Sequence, residues 1–301
     1  MESKIQIPKG GYYIILYVIT SAISNVFVNH TTRSIHPIVT LFYTSVFTIA
    51  FFSILNFNEL SKNIVLIKEN KKSILWLNFL NATIWFVIFF SLKVLNPSVF
   101  SCLFLGTIPI HIFIFELSKS KETSKRKFVI ALFLLIMFAL MISLVFQEVN
   151  ETNEFSTLKY GALVTIVGSL VAALILKTSK KLATQNLSAS LVVSLRFYGL
   201  LVISLLILIS KPEQLIVDAI VLVELFALAL TSMALPLFLL QKSLKNLSPL
   251  YVSLIITTIP VLTYFLQLLT GYFPFSVVKL SIIILFTLTL ITLTYLKKNL
   301  N

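Results

Sequence analysis

The sequence predicts an all-α polytopic membrane protein, with ten transmembrane helices arranged as two inverted five-helix repeats. Three observations carry that reading. Of the 301 residues, 58% are hydrophobic and only 12% are charged, about half the charge of a typical water-soluble chain. Apolar stretches of about 20 residues, enough to cross a bilayer, recur along the whole length. Finally, SLKVLNPSVFS at 91–101 returns as SLKNLSPLYVS at 243–253, and Thr107-Ile108-Pro109 returns as Thr258-Ile259-Pro260. An echo at half the chain length inside a lipid-soluble sequence is the mark of a duplicated bundle, a plan common among secondary carriers.

Spans are expected at 11–29, 36–55, 74–92, 97–116, 128–147, 159–177, 188–209, 217–240, 249–268 and 277–296, giving repeats 1–150 and 151–301. The amino-terminal apolar run lacks a small-residue cleavage site and is expected to stay as span 1. Between spans 2 and 3, Lys62, Lys68, Lys71 and Lys72 flank Ile64-Val65-Leu66-Ile67. That mixture predicts a segment lying along the membrane surface.

Basic residues set the orientation. Clusters such as Lys119, Lys121, Lys125, Arg126 and Lys127, or Lys177, Lys180 and Lys181, fall on the side of both termini, 18 against 5 on the other side. The bias predicts cytoplasmic termini in an inner (plasma) membrane. Glu148, Glu151 and Glu154 are expected in a polar external loop. Five spans per half is an odd number, so the second repeat enters upside down. Lys93 then lies outside and its echo Lys245 inside.

Composition also excludes chemistry. The net charge of +13 sits in short clusters at span ends, which reads as membrane topology rather than nucleic-acid binding. Seven glycines and no glycine-rich loop leave nothing to cradle a nucleotide phosphate, and no His/Cys cluster has metal-ligand spacing. The lone Cys102 excludes an internal disulfide. No cofactor, metal or catalytic residue is expected. The expected partners are the lipid bilayer, a small-molecule substrate and, at most, a second copy in a homodimer.

Polar residues inside spans are costly unless they face protein or water, so they mark candidate sites. In span 9, Ser253, Thr257, Pro260, Tyr264 and Gln267 share one helical face. They line a cavity or bond neighbouring helices. Span 3 offers Asn78, Asn81 and Trp85 on one face, with Trp85 a stacking ring or an interfacial anchor. Span 4 offers Thr107 and His111, the latter a proton carrier or a structural histidine. Tyr17 and Asn25 are the cavity candidates of span 1, beside Ser21 and Ser24. Pro109 and Pro260 are candidate helix kinks. Two full charges remain, Arg196 near mid-depth in span 7 and Glu224 in span 8, either paired with one another or available to a substrate.

The Leu95-Asn96-Pro97 and Leu247-Ser248-Pro249 turns, each leading into a proline-bearing helix, resemble the drug/metabolite transporter superfamily, EamA type. Ile35-His36-Pro37, Leu187-Ser188-Ala189, Arg196-Phe197 and Glu116 fit the same pattern. Thr44, at the position that echoes Arg196, departs from it. The resemblance implies a secondary carrier, commonly an exporter of amino acids or related small metabolites, working by alternating access. Import or exchange of a nucleotide-like or sugar metabolite is the alternative. An intramembrane enzyme acting on lipid-linked substrates would need an acidic or histidine cluster that the spans do not offer.

Overall fold

A backbone in hydrocarbon must bond to itself, and a helix does so within one segment. In the computed structural model, residues 10–117, 124–152 and 155–299 are described, and they are helical throughout apart from short turns. Lys119, Lys121 and Glu154 lie outside the described residues, as do the side chains of Glu116, Glu151, Lys125, Arg126 and Lys127.

The chain runs through α1 (Gly11–Ser34), α2 (Pro37–Leu55), the short α3 (Phe57–Lys62) and α4 (Ile64–Glu69), α5 (Lys71–Val94), α6 (Pro97–Leu117), α7 (Ser124–Thr152) and α8 (Phe155–Thr184). Interrupted helices follow. The first is α9 (Ala189–Ser194) with α10 (Tyr198–Ile209). In the second, α11 (Ala219–Leu228) passes through a π-helical segment, Ala229–Ala234, into α12 (Leu235–Asn246). The third pairs α13 (Pro249–Ile256) with α14 (Ile259–Leu268), and α15 (Val277–Asn299) closes the chain.

Among the described residues, eight stretches are long and apolar enough to cross a membrane, and two shorter apolar ones, Pro97–Ile112 and Val277–Thr292, accompany them. Their outward faces carry exposed Ile15, Phe79, Phe146, Leu206 and Ile220, which water would not tolerate in such numbers. The protein is a multi-pass membrane protein.

The echoed turns fold alike. Leu95 (φ −98°, ψ 151°) and Leu247 (φ −111°, ψ 154°) are both extended, and each returns its N–H to a serine carbonyl four residues back, Ser91 or Ser243. Pro97 and Pro249 then open the next helices, where a missing N–H costs nothing. The surface segment is jointed by Asn56, Asn63 and Asn70, each donating its side-chain amide to the carbonyl four residues earlier. Leu60, Leu66 and Ile67 turn inward from it onto the core.

Packing follows a regular scheme. Helix α1 packs on α12 and α14, and α8 packs on α5 and α6. Helix α5 packs on α10, α2 on the π segment and on α10, α6 on α14, and α7 on α15. Close approach needs small residues. At Gly168, on the α8 face toward α5, any Cβ would collide with Val87.

Glu148 departs from the expectation of a polar loop. It lies in α7, 2% exposed, and accepts hydrogen bonds from the Asn96 backbone N–H (3.3 Å), the Asn96 side-chain amide (2.6 Å) and Lys279 Nζ (2.8 Å). One carboxylate thus ties α7 to the α5–α6 turn and to α15. Removing one member of such a pair strands the other charge. Glu148→Gln or Lys279→Met alone should each destabilise the protein by about 3–5 kcal/mol, and the double variant should recover part of the loss. Denaturant unfolding in detergent micelles measures this; single variants as stable as the parent would deny the pair any structural role.

Candidate functional site

Span 7 is broken at its centre. Ser188 caps α9 by accepting the Leu191 N–H, the helix ends after Ser194, and α10 restarts at Tyr198. Breaking a helix in a bilayer frees backbone groups that must find partners. Asn78 of α5 supplies them. Its amide donates to the Leu195 carbonyl (2.6 Å), and its Oδ1 accepts from the Gly199 N–H (2.9 Å). A side chain at 199 would bring its Cβ to 3.1 Å from the Asn78 carbonyl oxygen, so glycine suits this approach.

Arg196 lies in the break itself. Its guanidinium donates Nε–H to Asn81 Oδ1 at 2.8 Å, and the two residues are 2% and 0% exposed. Asn78 and Asn81 stand three residues apart on one face of α5, so one helix both holds the break and receives the charge.

Two adjoining cavities, each about 80 Å³, open beside this arrangement. They share walls at Tyr17, Trp85, Ile88, Phe104, Leu105 and Leu237. Arg196 and Asn81 line one, and Ser21, Ser24, Asn25 and Ser232 line the other. Trp85 is 5% exposed and meets Phe89 edge-on at 5.9 Å. It is therefore a chamber wall rather than an interfacial anchor.

Two polar atoms at these walls, Asn81 Nδ2 and Ser232 Oγ, are buried without a hydrogen-bond partner. Such groups are rare and each calls for an explanation. Ser232 belongs to the π segment, a form that often marks functional sites. Pro236 of α12 has no N–H to return to residue 232, and this mid-span proline was the sequence's signal for Ser232.

The other candidates bond to neighbouring helices or to backbone, Asn25 doing so from the wall of the second cavity. Asn25 reaches from α1 to Ser101 Oγ (2.9 Å), which contacts Thr263 Oγ1 (3.3 Å). Gln267 Oε1 accepts the Ser98 N–H at the start of α6 (3.0 Å), and Tyr264 both donates to the Ser276 carbonyl and accepts its N–H. Ser253, Thr257 and Thr107 bond backbone carbonyls of their own helices. His111 Nε2 lies 2.9 Å from Ser169 Oγ, between α6 and α8. Glu224 accepts from Thr31 Oγ1 at 2.7 Å and lines neither cavity, and no ion pair joins it to Arg196 among the described residues. Pro260 coincides with the α13–α14 break, whereas α6 continues through Pro109.

Two larger hollows, about 260 and 390 Å³, are lined by side chains such as Phe138, Phe146, Phe51 and Leu235. These are exposed apolar groups, so the hollows are apolar surface grooves rather than polar sites.

No family model matches the chain. No curated protein matches it. A solved structure described only as "Crystal structure of protein" is similar over 98% of this chain and 98% of its own, with a TM-score of 0.65 and 15% identity. At that identity the likeness is one of fold.

Asn78→Ala should orphan the Leu195 carbonyl and the Gly199 N–H together, at about 1–3 kcal/mol for each buried group. The expected outcome is lower thermal stability in detergent and faster amide exchange at residues 195–199. Unchanged exchange there would mean the break does not depend on Asn78.

Proposed function

We propose that this protein is a secondary carrier of the drug/metabolite transporter type, EamA branch, exporting small metabolites across the inner (plasma) membrane by alternating access. The observation that carries the proposal is the chamber with Arg196 on its wall, lined by α1, α5 and α6 of the first half together with α8, α12 and Arg196 of the second. A site near mid-depth between two bundles is what rocking of one against the other requires.

The packing scheme supports the inverted repeat. Counting α6 and α15 with the eight longer stretches gives ten spans. Each major packed pair then has a counterpart five spans on. The contacts of α1 with α12 and α14 correspond to those of α8 with α5 and α6, and α5 on α10 corresponds to the π segment on α2. Even a single tie is repeated: Asn29 of α1 donates to the Leu92 carbonyl (2.6 Å), and Lys180 of α8 donates to the echoed Leu244 carbonyl (2.7 Å). Both termini are cytoplasmic in this reading. A gradient of substrate, proton or ion drives the cycle.

Two measurements test it. Lys93 and Lys245 are both exposed. In a Cys102→Ser background, Lys93→Cys should react with an impermeant thiol reagent only from outside, and Lys245→Cys only from the cytoplasmic side. Labelling from one common side would end the inverted-repeat reading. In proteoliposomes, counterflow of at least one member of a metabolite panel is expected; a panel without any counterflow would end the carrier reading.

A further inference from the structure

Among the described residues, the chamber wall carries one full charge, and it is positive. Arg196 spends Nε on Asn81, and the fork of a guanidinium offers four further N–H donors. Among the described residues, no carboxylate lines either cavity. Glu224 is held by Thr31 outside the chamber, and Glu148 is committed to Asn96 and Lys279. A guanidinium without a carboxylate, 2% exposed, is incomplete on electrostatic grounds.

A second observation points the same way. Because Asn81 Oδ1 accepts from Arg196, its Nδ2 must be the remaining donor, and that donor is buried without a partner on the wall of the same cavity. Two neighbouring residues of one wall thus keep unused donors, one of them charged, and an acceptor with two oxygens could serve both. The rest of that cavity is apolar, with Trp85, Phe104, Ile108 and Leu240. At about 80 Å³ for each part, the chamber is well below the roughly 300 Å³ of a drug-sized site.

We infer that the passenger is a small organic monocarboxylate with an apolar body and no ammonium group, its carboxylate on Arg196 and Asn81 Nδ2. One guanidinium balances one negative charge. A phosphate dianion would leave a net charge buried, and the ammonium of an amino acid would find no carboxylate on the wall. The inference rests on the carrier reading only for the passage of this ligand, not for its binding.

The test uses the full-length protein in detergent with Trp76→Phe, so that Trp85 alone reports occupancy by fluorescence. The probes are hexanoate, norleucine (the same chain with an α-amino group), pentylamine (the same chain without the carboxylate) and inorganic phosphate. Hexanoate should give saturable quenching, with each of the others weaker by about tenfold or more. Arg196→Gln should weaken hexanoate by about 10- to 100-fold.

Should Arg196→Gln not fold, Asn81→Asp serves instead. It supplies an internal carboxylate to the guanidinium, so it should fold and yet lose hexanoate to the same extent. Norleucine, pentylamine or phosphate binding as tightly as hexanoate would overturn the inference. So would hexanoate binding unchanged in Asn81→Asp, or no saturable signal from any probe. Hexanoate binding without counterflow of any solute would sink the carrier reading and leave the anion site standing. Counterflow of amines alone would do the reverse.

Discussion

A guanidinium held in a bilayer protein must be surrounded by acceptors, because its charge at span centre costs about 2.5–3.5 kcal/mol even by lenient measures. The interior of this molecule is arranged around that constraint. Arg196 lies where span 7 gives up its helix, and Asn78 takes up two of the backbone groups at the break. Asn81, one turn along, receives the charge. Gly199 lets the two helices come close enough for both. Binding the charge at this point also fixes where the chamber opens, since Trp85 follows on the same face of α5.

The other polar side chains mostly secure the bundle. Asn25, Ser101 and Thr263 connect α1, α6 and α14, and Gln267 caps the start of α6. Glu148 and Lys279 join α7 to α15, which pack on each other away from the chamber. The molecule therefore separates into a middle seam that holds the cavities and Arg196, and flanks tied by polar bonds. Polar bonds within a membrane protein are individually modest, about 0.6–2 kcal/mol. Their number across helix boundaries matters more than any one of them.

Much of this was legible in the sequence. Helix positions followed from hydropathy, because the bilayer sets their length and composition. The shared face of Asn78, Asn81 and Trp85 followed from helical spacing, and the mid-depth location of Arg196 from counting along span 7. The roles of Tyr264 and Gln267 were not legible. Large polar groups at helical spacing look the same whether they face a void or reach the Ser276 backbone and the start of α6. Glu148 was misplaced because its partner lies 131 residues away, and only tertiary structure brings them together. Ser232 was missed because a π segment has no compositional signature beyond Pro236.

The mirror position of Arg196 adds one consequence. Thr44 stands there, in an unbroken α2, with its hydroxyl returned to the Thr40 carbonyl. The echoed positions 44 and 196 are therefore unequal in polarity. On the carrier reading proposed above, a charged guest would be moored by its head to the Arg196 bundle alone, and would keep a single heading through the cycle. On that same reading, one wall would suffice to read the guest's handedness.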